Sequence, residues 1–271
     1  SPVEIRAACH AYASKWVETQ SREFQRLGVF GTWDDPYLTM NRGYEATILR
    51  QLASFARQGL LYRDKKPVHW CMSDRTALAE AEIEYDEEHV SPSIFVKFAL
   101  PETGTFAVIW TTTPWTLPAN YAIAYNPEFA YVAVRARGER YVVAAKLADD
   151  FVKACGLTEE AAREEVAIAR FGEWRAARHP FLDRDSVLLP ADYVTLEAGT
   201  GLVHTAPGHG ADDYVTGKKH GLPIDAPVGD DGRFTAGPWV GEHVFKANPK
   251  IVAHLHESGA LLSPPSLSVK H

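Results

Sequence analysis

The chain has 271 residues, 46% of them hydrophobic, which is enough for one large domain or two ordinary ones around a sizeable core. Its net charge of −7 does not suit a protein that holds long stretches of nucleic acid through many phosphates. No run of about 18 apolar residues and no secretory leader pattern occurs, and three widely spaced cysteines favour a reducing compartment. We therefore expect a cytoplasmic monomer without a membrane span.

Two amphipathic helices are predicted at the start of the chain. Ser1-Pro2-Val3-Glu4 supplies an N-cap hydroxyl, a proline at the first helical position and a glutamate that can close a capping box, and Gly28 ends the helix. A second apolar periodicity predicts a helix over about residues 41–58, with Gly59 after it. The pair has no sheet of its own, so we interpret it as part of something larger.

From about residue 66 the pattern changes to short alternating segments that are typical of strands. We predict strands over residues 68–70, 81–85, 94–100 and 106–112, and a hairpin of 131–134 with 141–144 that turns near Gly138. Helices are predicted near 146–154, 158–164, 211–220 and 248–257. The expected fold class is α/β (α+β), with a β-barrel-like domain decorated by short helices behind the helical segment.

The first candidate functional segment is Thr111-Thr112-Thr113-Pro114-Trp115-Thr116-Leu117-Pro118-Ala119-Asn120. Consecutive hydroxyls at a strand end, just before a proline, put donors and acceptors on one rigid ledge that suits a sugar or an ester carbonyl. The alternative is an ordinary threonine-rich strand edge that is followed by a proline turn.

The second segment runs from Gly199 to Tyr214 and resembles the rim of a pocket. Its glycines, Gly201 among them, let the backbone approach a ligand, and it is neither a dinucleotide fingerprint nor a phosphate loop. A metal site is a further alternative, although its spacing matches no common signature; its donors would be His204, His209, Asp212 and His220. No serine or cysteine nucleophile lies in either segment, so hydrolysis would use water directly.

Together, the two segments resemble the signature stretches of the editing domain of isoleucyl-tRNA synthetases, which are class I enzymes. Valyl and leucyl relatives typically carry an arginine-proline pair after the first threonines, where this chain has Thr113-Pro114-Trp115. The resemblance covers nearly the whole chain. It extends to residues 27–40, 66–71, 77–82, 179–184 and 229–235.

The resemblance implies an editing domain that is inserted into a nucleotide-binding catalytic core and hydrolyses valine wrongly attached to the isoleucine tRNA. A second site is known to serve this family because one methylene distinguishes the two amino acids. The expected ranges are a helical core segment over 1–66, connecting strands over 67–92, the editing domain over 93–262 and a return strand over 263–271. The parent enzyme would attach isoleucine to its tRNA with ATP and Mg²⁺, but both adenylate-forming signatures are absent here.

Site roles also follow from the resemblance. The threonines Thr111, Thr112 and Thr113 would surround the terminal adenosine and the ester together with Asn120, His204 would exclude isoleucine, and Asp213 would hold the substrate ammonium. Trp115, Thr116, Gly201 and His209 are expected as further substrate contacts. Editing should need no cofactor. Asp74 replaces the second cysteine of a zinc site that many relatives carry beside Cys71, so we do not expect zinc here.

Two alternatives of other classes stay open at this point. The chain could be a module that binds the end of a tRNA without hydrolysing it, or a metal-dependent hydrolase whose activity chelators would abolish.

Overall fold

A computed structural model describes residues 1–157 and 162–270. The chain divides into two compact units, Ser1–Asp64 and Lys65–His271. None of the helices in the described ranges combines the length and the apolar character that a membrane crossing demands. The domain ranges that the sequence predicts stay predictions.

The first unit contains the two predicted helices, α1 (Pro2–Arg26) and α2 (Arg42–Arg57). Ser1 and Glu4 form the predicted capping box, and Gly28 follows the helix with a φ of +81°. No residue of either helix is buried, and large apolar side chains such as Phe24, Ile48 and Phe55 are exposed. The unit therefore presents apolar faces that its own residues do not cover.

The second unit contains the strands and four shorter helices. In chain order the strands are β1 (Trp70–Cys71), β2 (Thr76–Ala77), β3 (Val90–Pro92), β4 (Ile94–Ala99), β5 (Thr105–Thr111), β6 (Ala122–Tyr125), β7 (Tyr131–Ala136), β8 (Glu139–Ala144), β9 (Ala162–Val166), β10 (Ala176–Arg178), β11 (Asp185–Pro190), β12 (Leu202–Thr205) and β13 (Ser268–Lys270). The α-helices are α3 (Ala148–Ala154), α4 (Ala169–Trp174), α5 (Ala211–Lys219) and α6 (Val244–Glu257), and short 3-10 helices lie at Glu80–Glu82, Pro114–Ala119 and Ala145–Leu147.

Nine strands form one mixed sheet in the order β12-β6-β11-β10-β4-β5-β8-β7-β9. The pairs β6 with β11 and β5 with β8 are parallel, and the other pairs are antiparallel. The mixed α/β class is confirmed, but the described strands form an open sheet rather than a closed barrel, because β12 and β9 are not paired with each other. A separate ribbon joins β3 to β13 with Val90 opposite Lys270.

The core lies between the curled sheet and α6, whose apolar face is buried. Its largest fully buried side chains include Phe98, Ile109, Tyr131, Tyr141 and Leu255. This packing explains where α6 begins. We predicted a start near residue 248, yet the helix begins at Val244, whose burial with Ala247 extends the apolar face to the N-terminal side of Pro249.

Two other local predictions were wrong. The alternation over residues 81–85 contains no strand, since residues 80–82 form a 3-10 helix in which Glu82 accepts a hydrogen bond from the backbone of Ala79. The predicted helix over 158–164 falls partly on residues 158–161, which lie outside the described residues. Its last three residues belong to β9, which pairs with β7.

Candidate functional site

A cavity of about 550 Å³ lies between the end of β5, the 3-10 helix after it and the segment that leads through β12 into α5. Its size is in the range of small-molecule sites. Nine of the ten sequence-predicted site residues line it: Thr111, Thr112, Thr113, Trp115, Thr116, Gly201, His204, His209 and Asp213. The two segments that the sequence singles out thus face one space.

The curl of the sheet brings these segments together although four strands separate β5 from β12. The backbone N–H of Ala144, at the end of β8, donates to the carbonyl of Thr200 over 2.7 Å, and the Tyr131 hydroxyl donates to the carbonyl of Gly201 over 3.0 Å. Gly201 has a φ of +71°, and a Cβ there would lie 2.4 Å from the Cβ of Ala144. Only glycine fits this close approach.

The threonine ledge is ordered by its own hydroxyls. Thr111 Oγ1 accepts a hydrogen bond from the backbone N–H of Thr113 over 3.1 Å and lies 3.2 Å from Thr113 Oγ1. The hydroxyl of Thr112 makes no hydrogen bond within the described part of the chain, and Thr112 lines the cavity. One hydroxyl is therefore available to a ligand, and its neighbours are held in place.

His204 is buried at the cavity wall with both ring nitrogens occupied. Nε2 lies 2.9 Å from Thr116 Oγ1, and Nδ1 lies 2.7 Å from Asn120 Nδ2. Asn120 Nδ2 also donates to the carbonyl of Ala122, while its Oδ1 accepts from the Ser186 hydroxyl. This assigns Nδ1 as an acceptor and places the ring hydrogen on Nε2.

The protonation state of His204 follows from its burial, which lowers the pKa of the imidazole to about 3. The ring is neutral near pH 7, and neither nitrogen is free to accept a proton from water. What His204 offers the cavity is the carbon edge of a fixed ring.

Asn120 is the one predicted site residue that does not line the cavity. Asn120 is fully buried behind His204. Its side-chain amide makes three hydrogen bonds, to Ala122, His204 and Ser186. The structure therefore does not bring the Asn120 side chain to the cavity, and its expected role at the ligand stays a prediction. Its contact with the site runs through the His204 ring.

Asp213 lies in the first turn of α5 and points back toward β12. Its Oδ2 accepts from the backbone N–H of Ala206 over 2.9 Å, and the Tyr193 hydroxyl donates to Oδ1 over 3.5 Å. Burial raises the pKa of this carboxyl, and the two hydrogen bonds oppose that rise. Gly210 allows the arrangement, because a Cβ there would lie 2.9 Å from the Asp213 carboxyl carbon.

Trp115 and His209 form a further part of the wall. Their rings meet edge to face with 5.0 Å between centroids, and burial lowers the pKa of His209 to about 4. Within the described residues, the buried His209 Nε2 has no hydrogen-bond partner. Three other lining residues, Trp110, Tyr193 and Glu197, were missed because no local motif marks them.

Within the described residues, the side chains that were considered as metal ligands do not form a common site. Across residues 1–157 and 162–270, no three His, Cys, Asp or Glu side chains are placed to hold one ion. Both nitrogens of His204 are already bound by protein groups, so the proposed set of His204, His209, Asp212 and His220 is not formed. Cys71 Sγ lies 3.4 Å from Asp74 Oδ2.

Fold and site together define a class of protein. The family model of class I tRNA synthetases (I, L, M and V) matches residues 1–182, and the chain belongs to that family. Among its similar curated relatives, the isoleucine–tRNA ligase of Desulfotalea psychrophila is 51% identical over 95% of this chain. The isoleucine–tRNA ligase of Fervidobacterium nodosum is 48% identical over 97% of it. The chain spans 28% and 29% of the lengths of these two relatives.

A solved structure described as the crystal structure of GlLeuRS-CP1 aligns with a TM-score of 0.51 and 14% identity. The alignment covers 62% of this chain and 97% of that chain. At this identity the likeness shows a shared fold alone, and it agrees with the mixed α/β architecture described above.

Proposed function

We propose that this chain hydrolyses the ester of valine that is wrongly attached to the isoleucine tRNA, as the editing part of a longer isoleucine–tRNA ligase. The observation that carries the proposal is the joint placement of a threonine ledge, a neutral His204 ring and the Asp213 carboxylate around one cavity. The ATP, Mg²⁺ and aminoacylation chemistry of the parent protein would lie outside this chain.

Asp213 is suited to bind the α-ammonium of the amino acid. Its carboxylate receives two hydrogen bonds from the protein and retains further lone pairs. Burial makes ionisation of Asp213 costly in the empty site, and a bound ammonium group would offset that cost. The cavity therefore favours a ligand that carries a positive charge at this position.

His204 is suited to select by size rather than by proton transfer. Because both nitrogens are hydrogen-bonded, the ring cannot move aside without leaving Asn120 and Thr116 with unsatisfied groups. A fixed ring edge at the wall can admit the valine side chain and exclude the one additional methylene of isoleucine. The role that we propose for His204 is therefore steric.

The threonine ledge is suited to the ester and the adenosine sugar. The Thr112 hydroxyl can donate to the ester carbonyl as negative charge develops there, and the paired Thr111 and Thr113 hydroxyls hold the backbone that presents it. No serine or cysteine is among the lining residues, so water is the proposed nucleophile. The free ribose hydroxyl of the terminal adenosine can assist it.

The test is the release of valine from valyl-tRNA of the isoleucine type, with isoleucyl-tRNA as the control. We expect release of valine only, insensitive to chelators. Because the chain is shorter than its relatives, the 3′-valyl ester of adenosine is tested in parallel. Binding of a stable valyl-adenosine analogue without hydrolysis of either substrate would replace this proposal with the binding-module alternative, and loss of activity on chelation would favour the metal-dependent one.

A further inference from the structure

A second cavity, of about 440 Å³, adjoins the first one. Trp115 and His209 line both cavities, so the partition between them is the edge-to-face pair of their two rings. The function proposed above fills only the first cavity. The second one is therefore a space beside the ester site that has no assigned occupant.

Aromatic rings that are accessible to solvent border this second cavity. Phe245, near the start of α6, is 61% exposed, and Trp70 is 39% exposed. The Trp70 ring is held by a hydrogen bond from Nε1 to the carbonyl of Asp230 over 2.9 Å. Exposed rings beside a cavity supply the flat apolar surfaces on which nucleobases stack in single-stranded nucleic acids.

The polar groups of this cavity also match a nucleotide. Lys66 supplies a cation that can neutralise one phosphate, while Asp230 is the carboxylate residue among the lining positions. One cation beside aromatic rings suits a single nucleotide rather than a long strand, in agreement with the net charge of −7.

We propose that the second cavity binds the nucleotide that precedes the terminal adenosine of the tRNA. This inference rests on the proposed function, because the terminal adenosine must occupy the first cavity. Consecutive nucleotides of a single strand are neighbours in space, and one pair of rings separates the two cavities. The strand end thus lies across the Trp115–His209 partition, with one nucleoside on each side.

The test is a calorimetric comparison of two stable ligands. One is a valylamide analogue of valyl-adenosine, and the other carries one additional nucleotide on its 5′ side. We expect the dinucleotide to bind about tenfold more tightly to the unmodified chain, which is the gain typical of one stacked base. Phe245→Ala and Phe245→Leu should both abolish this gain, since leucine keeps the apolar bulk without a flat ring, and neither should change binding of the nucleoside analogue.

Tyr85→Ala is the matched control, because Tyr85 is 82% exposed in the same unit and does not line the cavity. It should leave both affinities unchanged. Lys66→Gln should reduce the salt dependence of the gain by about one phosphate contact.

Equal affinity of the two ligands for the unmodified chain would overturn the inference and leave the proposed function intact. A gain that survives both Phe245 substitutions would also overturn it. If neither ligand binds, both proposals are wrong. A gain from the added nucleotide in a chain that hydrolyses no ester would keep this inference and overturn the hydrolytic function.

Discussion

Asn120 Nδ2 lies 2.7 Å from His204 Nδ1, which assigns the ring hydrogen of His204 to Nε2, opposite the Thr116 hydroxyl. Ser186 completes the arrangement by donating to Asn120 Oδ1. The orientation of a ring at the cavity wall is thus set by side chains on β11 and in the segment before β6. The shape of the cavity at His204 therefore depends on these buried hydrogen bonds as well as on His204 itself.

His204→Ala should therefore widen the cavity and allow hydrolysis of the isoleucyl ester. We expect the preference for valine over isoleucine to fall by about tenfold or more, since the removed ring frees the volume of several methylenes. Deacylation rates on both esters measure it, and urea unfolding checks that the fold persists despite about 1–3 kcal/mol of lost hydrogen bonding. If the variant hydrolyses valyl ester and still rejects isoleucyl ester, another group sets the limit.

Asp213→Asn should lower kcat/KM for the valyl ester by about 10- to 100-fold, because the amide keeps the shape and loses the charge that binds the ammonium. Asp212→Asn is the matched control. Asp212 is the preceding residue of the same helix turn, but its side chain is exposed and does not line the cavity. Equal losses in the two variants would show a general effect of charge and remove Asp213 from the proposed role.

Gly210→Ala should impair hydrolysis through Asp213 without unfolding the chain. The added methyl group would lie 2.9 Å from the Asp213 carboxyl carbon and must displace that side chain. Gly172→Ala is the control, since a Cβ at this helical position meets nothing within 4 Å. We expect a loss of at least about tenfold in kcat/KM for Gly210→Ala alone. Unchanged kinetics would mean that Asp213 can shift at no cost.

Tyr193→Phe should move the acidic limb of the pH profile to higher pH. The Tyr193 hydroxyl donates to Asp213 and lowers the pKa of that carboxyl, while burial raises it. Removing the hydroxyl leaves the burial effect less opposed, so Asp213 becomes ionised, and able to bind the ammonium, only at higher pH. The measurement is kcat/KM against pH for both forms. A limb that does not move, or moves to lower pH, would contradict this coupling.

The stability of the second unit should fall as the pH decreases below about 6.5. Burial lowers the pKa of His204 to about 3 and of His179 and His209 to about 4, from a usual value of 6.5. Below 6.5 the unfolded chain binds protons that the folded chain cannot accept, so stability is complete above that pH and is lost progressively toward the folded values. Urea unfolding at pH 7 and pH 5 measures the difference, which should be on the order of 1 kcal/mol per histidine. Greater stability at pH 5 would be inconsistent with neutral buried rings.

Local signals predicted much of the fold. The hairpin of β7 and β8 was predictable because Arg137 and Gly138 both take positive φ in a two-residue turn, which glycine favours. The start of α6 was not predictable from local signals, since burial of Val244 outweighs the usual position of Pro249. Alternation over residues 81–85 was misleading because residues 80–82 form a 3-10 helix.

The site, like the fold, was predictable only where local sequence patterns mark its residues. The Thr111 and Gly199 segments carry their own patterns and were expected at one site through the family resemblance, whereas no local pattern marks the contact of Tyr193 with Asp213. Asn120 was placed at the ligand because it belongs to the threonine segment. Asn120 follows the 3-10 helix at 114–119, and its side-chain amide points inward, toward Ser186 on β11.

The ribbon of β3 and β13 has a mechanical consequence. Its three residue pairs run from Val90 opposite Lys270 to Pro92 opposite Ser268, so both outer ends of the ribbon lie side by side. A pulling force applied to those two ends would load one pair at a time, beginning with Val90 and Lys270. Opening the ribbon in this way would separate its three pairs in sequence rather than all at once.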